Sequence, residues 1–379
     1  MTIVETISFI ALTSWIYLFG FRGMFWLSRE RDDGDVAFNG AWPSVTAIVP
    51  ARDEASMIAH SVSTLLAQNY PGEFHILVVD DQSSDGTGQS ARALNDSDRL
   101  EVLSGVEPPP GWTGKLWALR QGIAHAARRE PDYFWFTDAD IAHAPDNLKR
   151  LIARAETGGL VMVSLMAKLR CKSLAERFLI PAYVFFFAML FPFSRVNQRD
   201  DPTAAAAGGC IVLRRDALER AGGIESIRRE IIDDCALGRR MKLQGPICLA
   251  LTKRAISLRP YPHLRDIKQM VARSAYAQLG YSPLLLLGTL AGMIGIYAAP
   301  PFIAVLNGGS ARIAAALSWL CMAVMFQPML HFYRRSPLWG LALPVIGIVY
   351  AAFTLDSAIQ FWRGRGGMWK GRFQTMTRA

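Results

Sequence analysis

The sequence predicts an α/β domain built on a mostly parallel sheet, with membrane helices at both ends of the chain. Two observations carry this. Long uncharged apolar runs are confined to the two ends, and the region between them alternates short β-branched runs with helical patterns. Of 379 residues, 51% are apolar and 19% charged, below the ~25% charged usual in soluble domains. That balance excludes disorder for the bulk of the chain. The five cysteines (Cys171, Cys210, Cys235, Cys248, Cys321) stand singly, with no CxxC pair. This excludes a disulfide scaffold, argues against structural zinc and fits a reducing compartment.

The N-terminal run, Ile7 to Phe21, is uncharged and is followed by Arg22, Arg29 and Arg31, while residues 1–6 lack Lys and Arg. A signal peptide has the opposite arrangement. An uncleaved anchor over 1–27 is expected, its C-terminal end in the cytoplasm. Residues 43–265 form the α/β region. Strands are expected at Val45–Pro50, His75–Asp81, Leu100–Ser104, Tyr133–Thr137 and Leu160–Leu165, and helices at Glu54–Gln68, Lys115–Arg129 and Pro145–Glu156. This alternation places ligand groups at the carboxyl ends of the strands.

Within that region Phe178 to Phe193 is apolar, has 16 residues with Pro181 and Pro192, and is flanked by Arg170, Lys172, Arg177 and Arg195. It is short for a crossing, so a helix lying in the membrane interface is expected; the alternative is a buried helix of the soluble domain. Leu284–Leu306, Ile313–Leu330 and Leu338–Leu355 carry no Asp, Glu, Lys or Arg. They predict three C-terminal membrane segments within 283–362, since three buried core helices in succession would leave few polar faces.

Acids cluster where strands end: Asp53-Glu54, Asp80-Asp81, Asp138-Ala-Asp140 and Asp233-Asp234. Such acids need a partner, and a metal ion or sugar hydroxyls would supply one. Asp138 and Asp140 directly follow Tyr133–Thr137. Carboxylates at i and i+2 on a chain leaving a sheet can share one region and take a hard cation, Mg²⁺ or Mn²⁺, with substrate phosphates in its shell. The strings Asp33-Gly-Asp35 and Asp96-Ser-Asp98 lack a preceding strand and read as solvated loops. Asp85-Gly86 reads as a turn and helix cap, while Asp81 can accept from a nucleobase N–H.

Taken in order, Val-Thr-Ala-Ile-Val-Pro-Ala-Arg-Asp-Glu54, Leu-Val-Val-Asp-Asp-Gln-Ser-Ser-Asp-Gly-Thr87 and Thr-Asp-Ala-Asp140 resemble the family 2 glycosyltransferases of GT-A fold. One leading and three trailing membrane segments are similar to the bacterial hopanoid-associated glycosyltransferases. The resemblance implies that the Arg52–Glu54 loop and Asp81 contact uridine or a similar base, and that Lys115 approaches the base or diphosphate. It implies that Asp138 serves ribose and metal, and that Asp140 holds the metal on the diphosphate. Gly208-Gly209 resembles the loop at the ligand pocket, where glycine permits close backbone approach. Asp233-Asp234 resembles the family's Glu-Asp motif opening a helix, with Asp234 as general base; Asp233 stands where Glu is usual. For Lys115 the plainer alternative is an ordinary helix N-terminal residue, and for Asp233-Asp234 it is acids favouring a helix dipole.

Processive members carry Gln-x-x-Arg-Trp before their membrane helices. Here Gln269 and Arg273 are one residue too far apart and Ser274 replaces Trp, so transfer of a single sugar is expected, with Arg273 a candidate diphosphate contact. The expected partners are a nucleotide sugar (UDP-sugar first), a membrane lipid acceptor such as a hopanoid, and the bilayer. Other acceptors are a polyprenyl phosphate or a sphingolipid-like lipid; a nucleotide-sugar-sensing transporter or scaffold is the non-catalytic alternative. Nucleic acid is not expected, because the basic residues border apolar segments. There is no HExxH, G-x-S-x-G or Walker pattern. The expected location is the bacterial inner membrane, multi-pass, with the catalytic domain facing the cytoplasm. Three trailing crossings would put the C-terminus outside, yet the 363–379 tail holds Arg363, Arg365, Lys370, Arg372 and Arg378 and no acid, which favours the inside. Leu284–Leu306, with Pro300-Pro301, is the candidate for a segment that does not cross. Asp356, ending an apolar run, is a candidate intramembrane functional acid.

Overall fold

β1 (Val45–Ala51) and β4 (Tyr133–Thr137) are buried along their whole length, as strands covered on both faces must be. They are central to an eight-stranded sheet in the computed structural model, which describes residues 1–34, 36–94, 98–370 and 372–373. Asp35, Asp96 and Arg378 lie outside the described residues. The other strands are β2 (Phe74–Asp80), β3 (Leu100–Ser104), β5 (Ile141–His143), β6 (Met162–Lys168), β7 (Cys210–Arg214) and β8 (Ile247–Ser257). Their order is β3-β2-β1-β4-β7-β6-β8-β5. β1 is parallel to β2 and β4, β2 to β3, and β6 to β8. β7 is antiparallel to β4 and β6, and β5 to β8. The carboxyl ends of β1, β2, β4, β6 and β8 therefore share one edge with the start of β7.

The chain divides into two units. One contains the sheet: residues 30–170, 195–260 and 369 onward. Its helices match the expected periodicity with shifted ends: Ala55–Leu66, Gly114–Ala126 and Asn147–Gly158. Ile58, Val62 and Leu65 from the first, and Leu148, Leu151, Ile152 and Ala155 from the third, join one core with β1, β2 and β4. The expected strand at Leu160 begins at Met162 instead. Gly159 is left-handed (φ 56°) and the Leu160 N–H donates to the Ala155 carbonyl, closing the helix first.

The other unit contains the apolar helices: residues 1–29, 171–194 and 261–368. Among the described residues, four helical runs are long and apolar enough to cross a membrane: Ile3–Gly20, Pro283–Leu306, Gly309–Phe332 and Pro337–Trp362. Pro283–Leu306 passes Pro300-Pro301 without a break, through a π-helical turn at Met293–Ala298. Pro300 has no N–H to offer the Ile296 carbonyl; Trp15 Nε1 donates to it instead, at 3.0 Å.

The apolar segment expected at 178–193 is a helix from Leu174 to Leu190 that runs through Pro181. It groups with the apolar helices rather than with the sheet. Leu179, Ile180, Val184, Phe185 and Phe186 are buried, so much of its surface meets protein. Ser173 and Glu176 form a capping box at its start, and the buried Glu176 also accepts from the Tyr261 N–H at 2.7 Å.

Candidate active site

The loops leaving β1 and β2 are clamped together. Asp53 (φ 50°) and Gln82 (φ 55°) are left-handed, a strain that marks functional loops. The Ser84 N–H donates to Asp53 Oδ1 at 2.8 Å, the Ala55 N–H to Asp85 Oδ2 at 2.9 Å, and the Glu54 N–H to Thr87 Oγ1 at 2.7 Å. Asp85 is thus a structural clamp, as its turn pattern suggests. Arg52 Nη1 donates to the Asp81 carbonyl at 2.5 Å and lies 3.8 Å from the Asp81 carboxylate. Asp81 is fully buried.

Three carboxylates converge on Lys115. It stands in the first turn of Gly114–Ala126, with Nζ 2.9 Å from Asp138 Oδ1 and 3.3 Å from Asp233 Oδ2. Asp233 and Asp234 open the helix Asp233–Lys242. Asp234 Oδ1 accepts from the Cys235 N–H at 2.7 Å and Oδ2 from the Gly208 N–H at 3.0 Å. A Cβ on Gly208 would come within 3.2 Å of Lys115 Nζ and 3.5 Å of Asp234, so glycine there lets the backbone reach the cluster. Gly209 packs on Ile141 and Ala167, and its carbonyl accepts from Thr137 Oγ1. Below the carboxylates the wall is apolar, with Phe136, Ile211, Ile227 and Leu237 around a cavity of about 20 Å³.

This wall sets the electrostatics. Burial, then the neighbouring Asp233 charge, raise the Asp234 pKa to about 6; Lys115 and the two N–H donors oppose this. Burial also raises Asp138, against the pull of Lys115. For Lys115 itself burial acts to lower the pKa, but the surrounding aspartates outweigh it and hold the ammonium charged.

Asp140 faces different company. Arg259 Nε lies 2.6 Å from Asp140 Oδ2, and its Nη2 pairs with Glu54. Glu54 is buried, which raises its pKa against the pull of Arg259 and Lys370. Lys370 Nζ lies 2.7 Å from Glu54 Oε1. Sequence reasoning missed Arg259 as a site residue, although it follows the end of β8 and precedes Pro260, which favours an extended backbone there. Among the described residues no three His, Cys, Asp or Glu side chains form a metal-holding group. Asp138 and Asp140 instead each pair with a protein cation. Arg273 belongs to the apolar-helix unit, where it is exposed at the end of Leu264–Ala272.

Residues 46–222 match the family model for glycosyl transferase family 2. That match takes in 177 of the 379 residues, the sheet strands β1 (from Thr46) to β7 among them. Over 200 residues the chain is 29% identical to the 4,4'-diaponeurosporenoate glycosyltransferase of Staphylococcus aureus strain bovine RF122 / ET3-1, and 28% identical to that of strain USA300. Each match takes in 52% of this chain and 50% of the relative, so the chain spans about half the length of the curated relatives it matches. Among solved structures, the mannosyltransferase PcManGT from Pyrobaculum calidifontis, in complex with GDP-Man and Mn²⁺, aligns with a TM-score of 0.57 at 21% identity. The alignment covers 95% of this chain and 99% of that one. The sheet-bearing unit has the GT-A fold.

Proposed function

We propose that the protein is a membrane-bound inverting glycosyltransferase that moves one sugar from a nucleotide sugar to the hydroxyl of a lipid. The observation that carries this is Asp234: a desolvated carboxylate, raised to about 6, oriented by two backbone N–H groups beside Lys115 and Asp138. A base poised near neutrality is what deprotonation of a hydroxyl requires. Asp234 takes the acceptor proton, and the acceptor oxygen forms a bond to the anomeric carbon. The bond from that carbon to the diphosphate breaks on the opposite face, so configuration inverts and a nucleoside diphosphate leaves. Lys115 stands beside Asp138 to offset phosphate charge, and Asp233 helps hold Lys115 in place.

Arg52 and Glu54 are assigned to the nucleotide, with Asp81 supporting Arg52 from beneath. Asp138 and Asp140 suit a hard divalent cation, Mg²⁺ or Mn²⁺, that keeps substrate phosphates in its shell. Glu54, Asp81, Asp138, Asp140, Asp233 and Asp234 outnumber Arg52, Lys115, Arg259 and Lys370, so the carboxylate set accommodates added positive charge. When bound, that ion would neutralise the leaving diphosphate. PcManGT's GDP-Man and Mn²⁺ support this reading. A UDP-sugar is the first donor to try and a GDP-sugar the second.

The four apolar helices support a lipid acceptor, as does the relatives' name, which specifies 4,4'-diaponeurosporenoate. A hopanoid is the acceptor the sequence resemblance favours, ahead of a polyprenyl phosphate or a sphingolipid-like lipid. The location proposed is the bacterial inner membrane with the catalytic domain in the cytoplasm. The test is a product assay in detergent with Mg²⁺ or Mn²⁺, UDP- and GDP-sugars and a lipid extract containing hopanoids. One added hexose-type unit is expected, with inverted configuration, and Asp234→Asn should abolish it. Retention, or full activity in that variant, overturns the mechanism; a protein that only senses nucleotide sugar would not need Asp234.

A further inference from the structure

Lys370 lies between two short paired strands, Met368–Trp369 and Arg372–Phe373. Its φ of 46° is the left-handed conformation of a tight hairpin turn. Through this one residue the C-terminal segment touches all three residues of the Arg52–Glu54 loop. Nζ lies 2.7 Å from Glu54 Oε1 and donates to the Asp53 carbonyl at 2.9 Å. The Lys370 carbonyl accepts from Arg52 Nε at 3.3 Å. The loop has reason to need this clip. Asp53 is held at a left-handed φ of 50°, which a non-glycine residue keeps only when its surroundings enforce it. Glu54 is a buried carboxylate whose other cation, Arg259, is shared with Asp140. Without Lys370 one guanidinium would serve two carboxylates.

We propose that Lys370 is a positioning residue of the donor site: it holds the Arg52–Glu54 loop in the shape that receives the nucleoside diphosphate. This rests on the donor reading of that loop given above. No hydrogen bond or ion pair joins Lys370 to Lys115, Asp138, Asp233 or Asp234 among the described residues, so the effect falls on donor binding and not on the chemical step.

The experiment titrates UDP and GDP into the full chain in detergent by calorimetry, alongside donor KM and kcat. Lys370→Ala should weaken the preferred nucleotide and raise donor KM by about two- to fivefold, the range of a partly exposed charged pair. Thermal unfolding and kcat should stay close to wild type. Lys370→Arg, which can still reach Glu54 and the Asp53 carbonyl, should recover most of the affinity. Because Lys370 acts through Glu54, Lys370→Ala in a Glu54→Gln background should cost less than it does alone. Equal or tighter nucleotide binding by Lys370→Ala overturns the proposal, as does a loss confined to kcat. If the wild-type protein binds neither UDP nor GDP, the donor reading fails and takes the proposal with it.

Discussion

Asp234 and Lys115 are the pair whose chemistry is most exposed to test. A base must be ionised, so kcat should rise with pH through an acid limb near 6, the value that burial and Asp233 impose on Asp234. Lys115 is one of the groups pulling that value down. Lys115→Met removes the ammonium, leaves the aspartates repelling one another, and should move the acid limb to higher pH while lowering the maximum rate. A pH–rate profile of both proteins checks this; an unmoved or downward-shifted limb would mean that Lys115 does not tune the base. At this scale the sequence was informative where acids end strands. Arg52, Glu54, Asp138 and Asp140 come to one sheet edge, and Lys115 Nζ lies 2.9 Å from Asp138 and 3.3 Å from Asp233. Arg259 was hard to read because Pro260 beside it marks an extended backbone and not a role. Its role comes from β8 pairing beside β5 and β6, distant in sequence from Glu54. The divergence of Asp138 and Asp140 toward different cations was also hidden, since i and i+2 spacing fixes a face but not a partner.

The helix Asp233–Lys242 is the element that carries Asp234, the proposed base, and its position depends on small residues. A Cβ at Gly238 would lie 2.8 Å from the Ala205 carbonyl carbon and 3.0 Å from its oxygen. Those are backbone atoms and cannot swing aside. Gly238→Ala must therefore push the helix off the Ala204–Ala207 stretch, at the ~1–3 kcal/mol typical of overpacking. The displacement also pulls Asp234 from the Gly208 N–H. Thermal unfolding should drop and kcat should fall with it. Gly288→Ala is the control: nothing lies within 4 Å of its added Cβ, and a helical Gly→Ala change there should be neutral or slightly stabilising. Equal melting temperatures for Gly238→Ala and wild type would refute the tight-packing account. The elements themselves were largely readable, because β1, β2 and β4 are short β-branched or aromatic runs set between helical periods. β7 and β8 were less so. β7 enters the sheet antiparallel between β4 and β6, a placement that only tertiary pairing decides.

For the whole molecule, the contacts within the apolar-helix unit bear on how many runs cross the membrane. Ser310 Oγ donates to Glu5 at 2.9 Å, so the 307–310 turn lies level with the start of Ile3–Gly20. Pro283–Leu306 runs toward that level and Gly309–Phe332 runs back from it. At 1.5 Å per residue each is long enough to span the ~30 Å hydrocarbon core. Pro337–Trp362 behaves differently. Its first turn lies partway along Gly309–Phe332, with Trp319 Nε1 donating to the Leu341 carbonyl and Gln327 Nε2 to the Pro337 carbonyl, both at 3.1 Å. Its far end returns beside the segment that precedes Pro283: Lys268 pairs with Asp356 at 3.2 Å, and Ser357 joins Ala272 and Tyr276. Asp356 therefore has a structural partner at that end. A run that begins partway along its neighbour is, with Leu284–Leu306, a second candidate for the segment that does not cross. Two C-terminal crossings would put Arg334, Arg335, Arg363 and Arg365 on the side of Arg22, as the positive-inside rule prefers. In a cysteine-free background, a membrane-impermeant maleimide added to intact cells should label a cysteine at Asn307 and not one at Ser336 or Gly364. Labelling of Gly364→Cys from outside would restore three crossings.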